Sequence, residues 1–353
     1  MRALFLLLAA ALPIHAQDAP SDQCKEFATV PLPSEAAVAK PSEYPACESY
    51  KSYAGIGHPI DYAGARACAW QERAAQLADL QPRNGIAAVF GGSAMLTVLY
   101  ANGEGVQQNF PLALRMACEA GGAPAEIKIR LDDLQKRQDH PDPKAAKFDF
   151  CNDITSGFMM GFCTARSEEI DGQMRSSKFA QLSRSWSQPQ QAAFEHMLSL
   201  EAEYAEAHAR GEIDLSGTAR AMFQIDAESS LKDDILAAIQ SFEAGKPPHA
   251  TAITAAQADA ELNRAYRKML QEAEDHKDEY GAIQPEGIRA AERAWLRYRD
   301  AWLGFAELRY PAVPREVWLD LLTKDRTLIL LGKSCGALEE CDGEEQWSPR
   351  PLP

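Results

Sequence analysis

Positive charge is scarce in this chain. Its 353 residues hold 36 Lys and Arg against 51 Asp and Glu, a formal net charge of −15. Phosphate backbones are gripped by basic faces that release counterions, so this balance argues against nucleic acid and anionic lipid as partners. The signatures of common enzymes are missing as well. There is no Gly-x-Ser-x-Gly, no His-Glu-x-x-His, no Walker loop and no dinucleotide fingerprint. No Cys-x-x-Cys occurs and no His stands at ligand spacing from a Cys, so neither a metal nor a cofactor is expected. His196 and His208 fall more than three turns apart on one predicted helix and cannot share an ion without a third element. Glu168-Glu169 and Glu201/Glu203 imitate a glycosidase dyad, but acidic helices yield such pairs by chance and the sequence marks none as desolvated. Sustained apolar alternation, the mark of strands, is absent. The chain reads as an all-α non-enzyme.

What is present is ordinary globular composition, with 46% hydrophobic and 25% charged residues over a length sufficient for two or three domains. Residues 1–16 join Arg2 to the apolar run LFLLLAAAL and end on the small residue Ala16. This is the pattern of a secretory signal cleaved after Ala16, too short to span a bilayer, so no stable membrane insertion is expected. A periplasmic or secreted product follows. Eight cysteines, Cys24, Cys47, Cys68, Cys118, Cys151, Cys163, Cys335 and Cys341, suit that oxidising setting and suggest four disulfides. Separation favours Cys151–Cys163 and Cys335–Cys341; the first closes a loop worth roughly 3 kcal/mol in chain entropy. Connectivity among Cys24, Cys47, Cys68 and Cys118 stays open.

Residues 17–44 are polar and Pro-rich and are expected to be extended, tied down by Cys24. Helical periodicity then takes over. SYAGIGHPIDYAGARA (52–67) and YANGEGVQQNFPLALR (100–115) superpose at an offset of 48, placing Gly55 on Gly103, Gly57 on Gly105 and Asp61 on Asn109. The physics is helix, tight turn, helix: glycines permit positive φ, and Asp61 or Asn109 caps the second helix. Such hairpins stack, because one alone cannot bury its apolar face. The second copy, with Tyr100, Gly103, Gly105 and Val106 in its turn, resembles a Sel-one-like repeat; the first is a degenerate version with Ser52 and His58 in place of the Tyr and Val.

A Gly/Pro break at residues 121–124 and the polar stretch 137–147 place a boundary near residue 140. The expected organisation is a repeat domain at 45–140, a second helical domain at 141–335 and an acidic, Pro-rich tail at 336–353. The second domain carries apolar stripes at helical spacing. One is Phe194, Met197, Leu198 and Tyr204, interrupted by Glu201; another is Leu262, Tyr266, Met269 and Ala273; a third is Ile288, Ala291, Trp295, Tyr298 and Trp302.

Three of its segments resemble the LprI-type lysozyme inhibitor family: an Asp-x-x-Leu-Asn-x-x-Tyr helix (Asp259 to Tyr266), a Trp-x-x-Tyr-Arg-Asp helix (Trp295 to Asp300) and a closing Leu-Thr-x-x-Arg helix (Leu322 to Arg326). Cys151 and Cys163 stand where that family has a Cys-x(11)-Cys opening, here followed by a long insertion, residues 164–254. Members are small, helical and exported. The family often carries one Cys just after Trp-x-x-Tyr-Arg-Asp and another before the last helix. These neighbourhoods here hold Trp302 and Trp318, which are expected to pack across the gap a disulfide would bridge.

Two groups are candidate contact residues. Trp295 and Tyr298 lie on an apolar row, with Arg299 and Asp300 beside it and placed to pair with a neighbouring helix. Thr155, Ser156 and Gly157 sit in the Cys151–Cys163 loop, where Asp153 or Ser156 also suits a helix cap. The resemblance implies a non-enzymatic binding protein, whose acidic surface attracts a basic lysozyme and whose helix end or loop occludes the cleft. The alternative is a protein-interaction scaffold built on the repeats. Oligomeric state is not legible.

Overall fold

The computed structural model describes residues 22–39, 47–79, 85–249 and 255–332. Within these the chain forms fourteen α-helices and no strand. The expected signal at 1–16, the tail at 336–353 and the pair Cys335/Cys341 lie outside the described residues. No helix among the described residues is long and apolar enough to cross a membrane. The chain divides into two compact units, the first running essentially to Asp153 and the second from Ile154 onward.

The first unit holds α1 (Asp22–Phe27), α2 (Ser34–Val38), α3 (Ser49–Ala54), α4 (Tyr62–Leu77), α5 (Ile86–Phe90), α6 (Ser93–Asn102), α7 (Phe110–Ala120) and α8 (Pro124–Asp139). The stretch expected to be extended is therefore helical in two short pieces. The cause is local tethering: Cys24 is bonded to Cys118 and so pins α1 to α7, while Trp70 of α4 donates to the Glu35 carboxylate of α2 (3.2 Å). Cys47 is bonded to Cys68 on α4, which settles the open connectivity.

The two hairpins have matching turns. The Asp61 N–H donates to the Ser52 carbonyl and the Asn109 N–H to the Tyr100 carbonyl, both at 2.9 Å. Gly55 and Gly103 end their helices at φ +74° and +69°, and Gly57 and Gly105 follow at +78° and +64°. Asp61 caps α4 by accepting from the Gly64 N–H, and Asn109 caps α7 by accepting from Leu112. Tyr100 is buried and Val106 half-buried. The buried Glu72 carboxyl, its pKa raised by burial, accepts from the N–H of Ser49 (3.0 Å), the Ser49 hydroxyl and the N–H of Gly92 (2.8 Å), so one side chain serves the starts of both α3 and α6.

Residues 141–153, beyond the Gly/Pro break, stay with this unit. Phe148 is tied through its backbone to the Asn102 amide in both directions (2.8 and 2.9 Å), and Phe150 meets the Phe90 ring edge-on beneath the Arg130 guanidinium.

The second unit comprises α9 (Gly157–Ser183), α10 (Gln188–Gly211), α11 (Arg220–Glu243), α12 (Ala255–His276), α13 (Pro285–Arg309) and α14 (Arg315–Leu330). Helix α10 lies between α11 and α13, α9 packs on α11, and α14 packs on α12 and α13. The three stripes read from sequence face inward. Through the core runs a chain of aromatic rings, Trp186–Phe194–Phe305–Tyr310–Trp318–Trp302, with successive centroids 5.1 to 6.4 Å apart. Each such pair adds about 0.5–1.5 kcal/mol beyond its buried area. Trp302 and Trp318 meet directly, as expected from the residues that replace the family cysteines.

Candidate functional site

At one end of the second unit, the loop from α12 to α13 projects an acidic tip. Residues 272–280, EAEDHKDEY, carry five carboxylates against one lysine, and Tyr280 is 80% exposed. Solvent would ordinarily leave such a loop mobile, but local bonds fix this one. The Glu279 N–H donates to the His276 carbonyl (2.9 Å), and the Gln284 amide donates to the carbonyls of Lys277 (2.9 Å) and Ala282 (3.1 Å). The His276 ring bonds the Glu279 carboxylate at 2.8 Å, which raises its pKa above the ordinary histidine value.

The loop is also seated on its neighbour, the α10–α11 connection. Gly281 adopts φ +76°, and its carbonyl accepts from the Leu215 N–H at 3.0 Å. Beside it, the ends of α10 and α13 cross with backbones in contact: a Cβ on Gly211 would lie 2.6 Å from the Gly287 carbonyl oxygen. Asp214, exposed on the same connection, adds a further carboxylate, held below its usual pKa by bonds from Ser216.

Under this tip is a buried polar lock. Arg326 of α14 is 0% exposed and forks the Glu212 carboxylate at the end of α10, at 2.8 and 2.6 Å. The same guanidinium donates to Glu292 of α13 (3.1 and 3.0 Å) and to the Tyr204 hydroxyl (3.1 Å), while the His208 ring bonds Glu212 at 2.8 Å. Burial alone would push the Glu212 carboxyl up; the bonds from Arg326 and His208 outweigh it and bring it below the usual range. Burial opposes the Arg326 cation too, yet Tyr204, Glu212 and Glu292 keep it firmly protonated. Three helices are thereby clamped at the base of the tip.

The residues singled out from sequence are placed differently. Trp295 and Tyr298 are buried core residues, Tyr298 stacked on Tyr204 at 5.8 Å. Arg299 is paired within its own helix. Its guanidinium lies over its own Trp295 ring (5.4 Å) and bonds the adjacent Asp300 (2.9 and 2.7 Å). Thr155 is exposed, and Ser156 caps α9 through the Met159 N–H at 3.3 Å. Gly157 has the Thr218 backbone against it, in the space a side chain would need. Cys151 and Cys163 are buried and both disulfide-bonded. None of these residues belongs to the tip. Tyr280, Gly281, Glu212 and Arg326 do, or support it; the one available signal was a tyrosine followed by glycine in an acidic breaker.

Comparison with known families falls on this part of the chain. Residues 249–327 match the family model described as Lysozyme inhibitor LprI. The match covers well under half of the chain and takes in the described residues of α12, α13 and most of α14, with the tip, the Trp-x-x-Tyr-Arg-Asp helix and Arg326. No curated protein and no solved structure gives a significant match.

Proposed function

We propose that this chain is an exported inhibitor of lysozyme-type muramidases that acts by binding, and that the α12–α13 tip is its contact element. The observation that carries the reading is the coincidence of the inhibitor-family match with the residues that build the tip. An acidic projection draws in a basic enzyme and raises the association rate. Tyr280 then supplies a large amphipathic side chain to the cleft, on a loop whose ordering cost is already met by Gly281, Gln284 and the lock beneath. The cysteines bonded in the described residues and the match to this inhibitor family suit an extracytoplasmic site of action.

The test is a titration of the purified protein, lacking residues 1–16, into a lysozyme cell-wall clearing assay at low and physiological salt. Inhibition is expected to weaken with salt, because the Debye length shrinks to about 8 Å at physiological ionic strength. Tyr280→Ala is expected to lower inhibition by about tenfold or more, the loss typical of an aromatic anchor. Undiminished clearing at excess protein refutes the reading.

One observation favours a second role for the first unit. Its two hairpins share turn geometry to within a few degrees at Gly55 and Gly103, the arrangement of a stacking helical repeat. We read this unit as a protein-interaction scaffold of the Sel-one-like kind. Pull-downs that lose their partner on repeat-surface substitution while clearing inhibition is untouched would separate the two roles.

A further inference from the structure

Helices α11 and α14 of the second unit are pinned together at one point and come near each other again about two turns further along. The pin is Phe242 of α11, edge-on to Trp318 of α14 at 5.1 Å. Beyond it, Asp234 of α11 and Asp325 of α14 line one narrow cleft, together with Glu201 and Tyr204 of α10 and Tyr298 and Trp302 of α13. The cleft holds about 30 Å³, room for one or two waters. Its remaining lining is aliphatic, and no Lys, Arg or His reaches it.

Three carboxyl groups thus converge where charge is costly. Glu201 is only 4% exposed, and its Oε1 has no hydrogen-bond partner. The buried Tyr298 hydroxyl has Glu201, Asp325 and Asp234 among its electrostatic neighbours, which places all three about one point. The nearby cations are committed elsewhere. Arg175 pairs with Glu168 (2.9 Å) and Asp233 (3.1 Å), and Lys232 with Glu168 (3.6 Å) and Glu228 (3.7 Å). Arg326 is consumed by Glu212, Glu292 and Tyr204. A space of this size admits no hydrated counter-ion either. Ionising the cleft sets like charges against each other across a gap of low dielectric, and their repulsion parts the helices that carry them.

We propose that α11 and α14 form a pH-operated clasp: it is closed over the cleft while Glu201 and Asp325 are protonated, and it parts at the Asp234–Asp325 end, about the Phe242–Trp318 pin, once they ionise. The inference does not rest on the lysozyme reading. Burial pushes the Glu201 carboxyl up to about 7, with Glu228 and Glu168 adding to the rise and Lys232 and Arg175 opposing it. Asp325 is pushed up to about 7 as well, by burial first and by Asp234 next, with Arg326 opposing. In the parted state both groups meet water and return toward the ordinary carboxylate range. The closed state therefore loses its hold as pH rises from that range, and the loss is complete above about 7.

The test is solvent exchange of indole N–H groups in the chain lacking residues 1–16, followed by ¹H–¹⁵N spectroscopy at pH 5 and pH 8 and corrected for base catalysis. The Trp302 N–H is buried with no hydrogen-bond partner and its ring lines the cleft; the Trp186 N–H is likewise buried and unpartnered in the same unit, away from the cleft. Protection at Trp302 is expected to fall at least about tenfold from pH 5 to pH 8, while Trp186 holds. Glu201→Gln combined with Asp325→Asn should leave less than a twofold fall. Where that pair does not fold, Glu201→Gln alone should shrink the fall at least threefold. No fall at Trp302, an equal fall at Trp186, or an undiminished fall in these variants overturns the proposal.

Discussion

Glu201 gives the sharpest quantitative test of the second unit. In the unfolded chain its carboxyl titrates near 4.5; in the fold, burial raises it to about 7. Between those values the folded state holds a proton that the unfolded state has released. Stability therefore falls as pH rises through this window, and the deficit is complete above pH 7. The interval from 4.5 to about 7 corresponds to about 3 kcal/mol. Glu201→Gln keeps the volume and removes the charge, so it should gain about 3 kcal/mol at pH 8 and less than about 1 kcal/mol at pH 5. Urea unfolding followed by tryptophan emission, with disulfides intact, is the assay. Among the described residues, Trp186, Trp295, Trp302 and Trp318 lie in the second unit and Trp70 in the first, so the signal reports chiefly on the right unit. A variant no more stable than wild type at pH 8, or equally stabilised at both pH values, refutes the reasoning.

Other outcomes follow from the same packing. Arg326→Met strands the buried Glu212 carboxylate and should cost about 3–5 kcal/mol in the same urea assay, most of it restored by adding Glu212→Leu. Because Glu212 titrates below the ordinary range, the stability it contributes is present at neutral pH and is lost as pH falls through its folded value; an acid titration of wild type against Arg326→Met shows that difference. Cys24→Ser with Cys118→Ser opens a loop of 94 residues and should cost the first unit about 4–5 kcal/mol, read as faster hydrogen exchange in α6 and α7. Gly211→Ala sets a methyl against the Gly287 carbonyl and should lower the melting temperature by several degrees, measured by circular dichroism.

What the sequence made legible is what local chemistry controls. The turn glycines and their caps at Asp61 and Asn109 were readable because positive φ and an N-terminal acceptor are demands of single residues. The stripe of α13 was readable because helical period selects one face. The meeting of Trp302 and Trp318 was readable from what stood in place of two cysteines. Arg326 was visible only as a helix position, since its partners Tyr204, Glu212 and Glu292 come from 34 to 122 residues away. Glu201 looked like an interruption of an apolar stripe. That interruption was real, but nothing local says whether an acid there turns outward or stays buried. Arg299 and Asp300 were no more legible: a charged pair beside an apolar row has no local signal for which partner it takes.

The lock at Arg326 has a consequence for anyone who would cut the gene. The inhibitor-like stretch begins at residue 249, whereas Glu212 and Tyr204, which neutralise and cradle its central guanidinium, precede that point. Phe242, edge-on to Trp318 at 5.1 Å, precedes it as well. An excised fragment would leave Arg326 with Glu292 alone of its acceptors and would strip the Trp318 indole of its Phe242 neighbour. The upstream helices are thus prosthetic to the recognisable segment, and the smallest piece worth expressing starts ahead of α10.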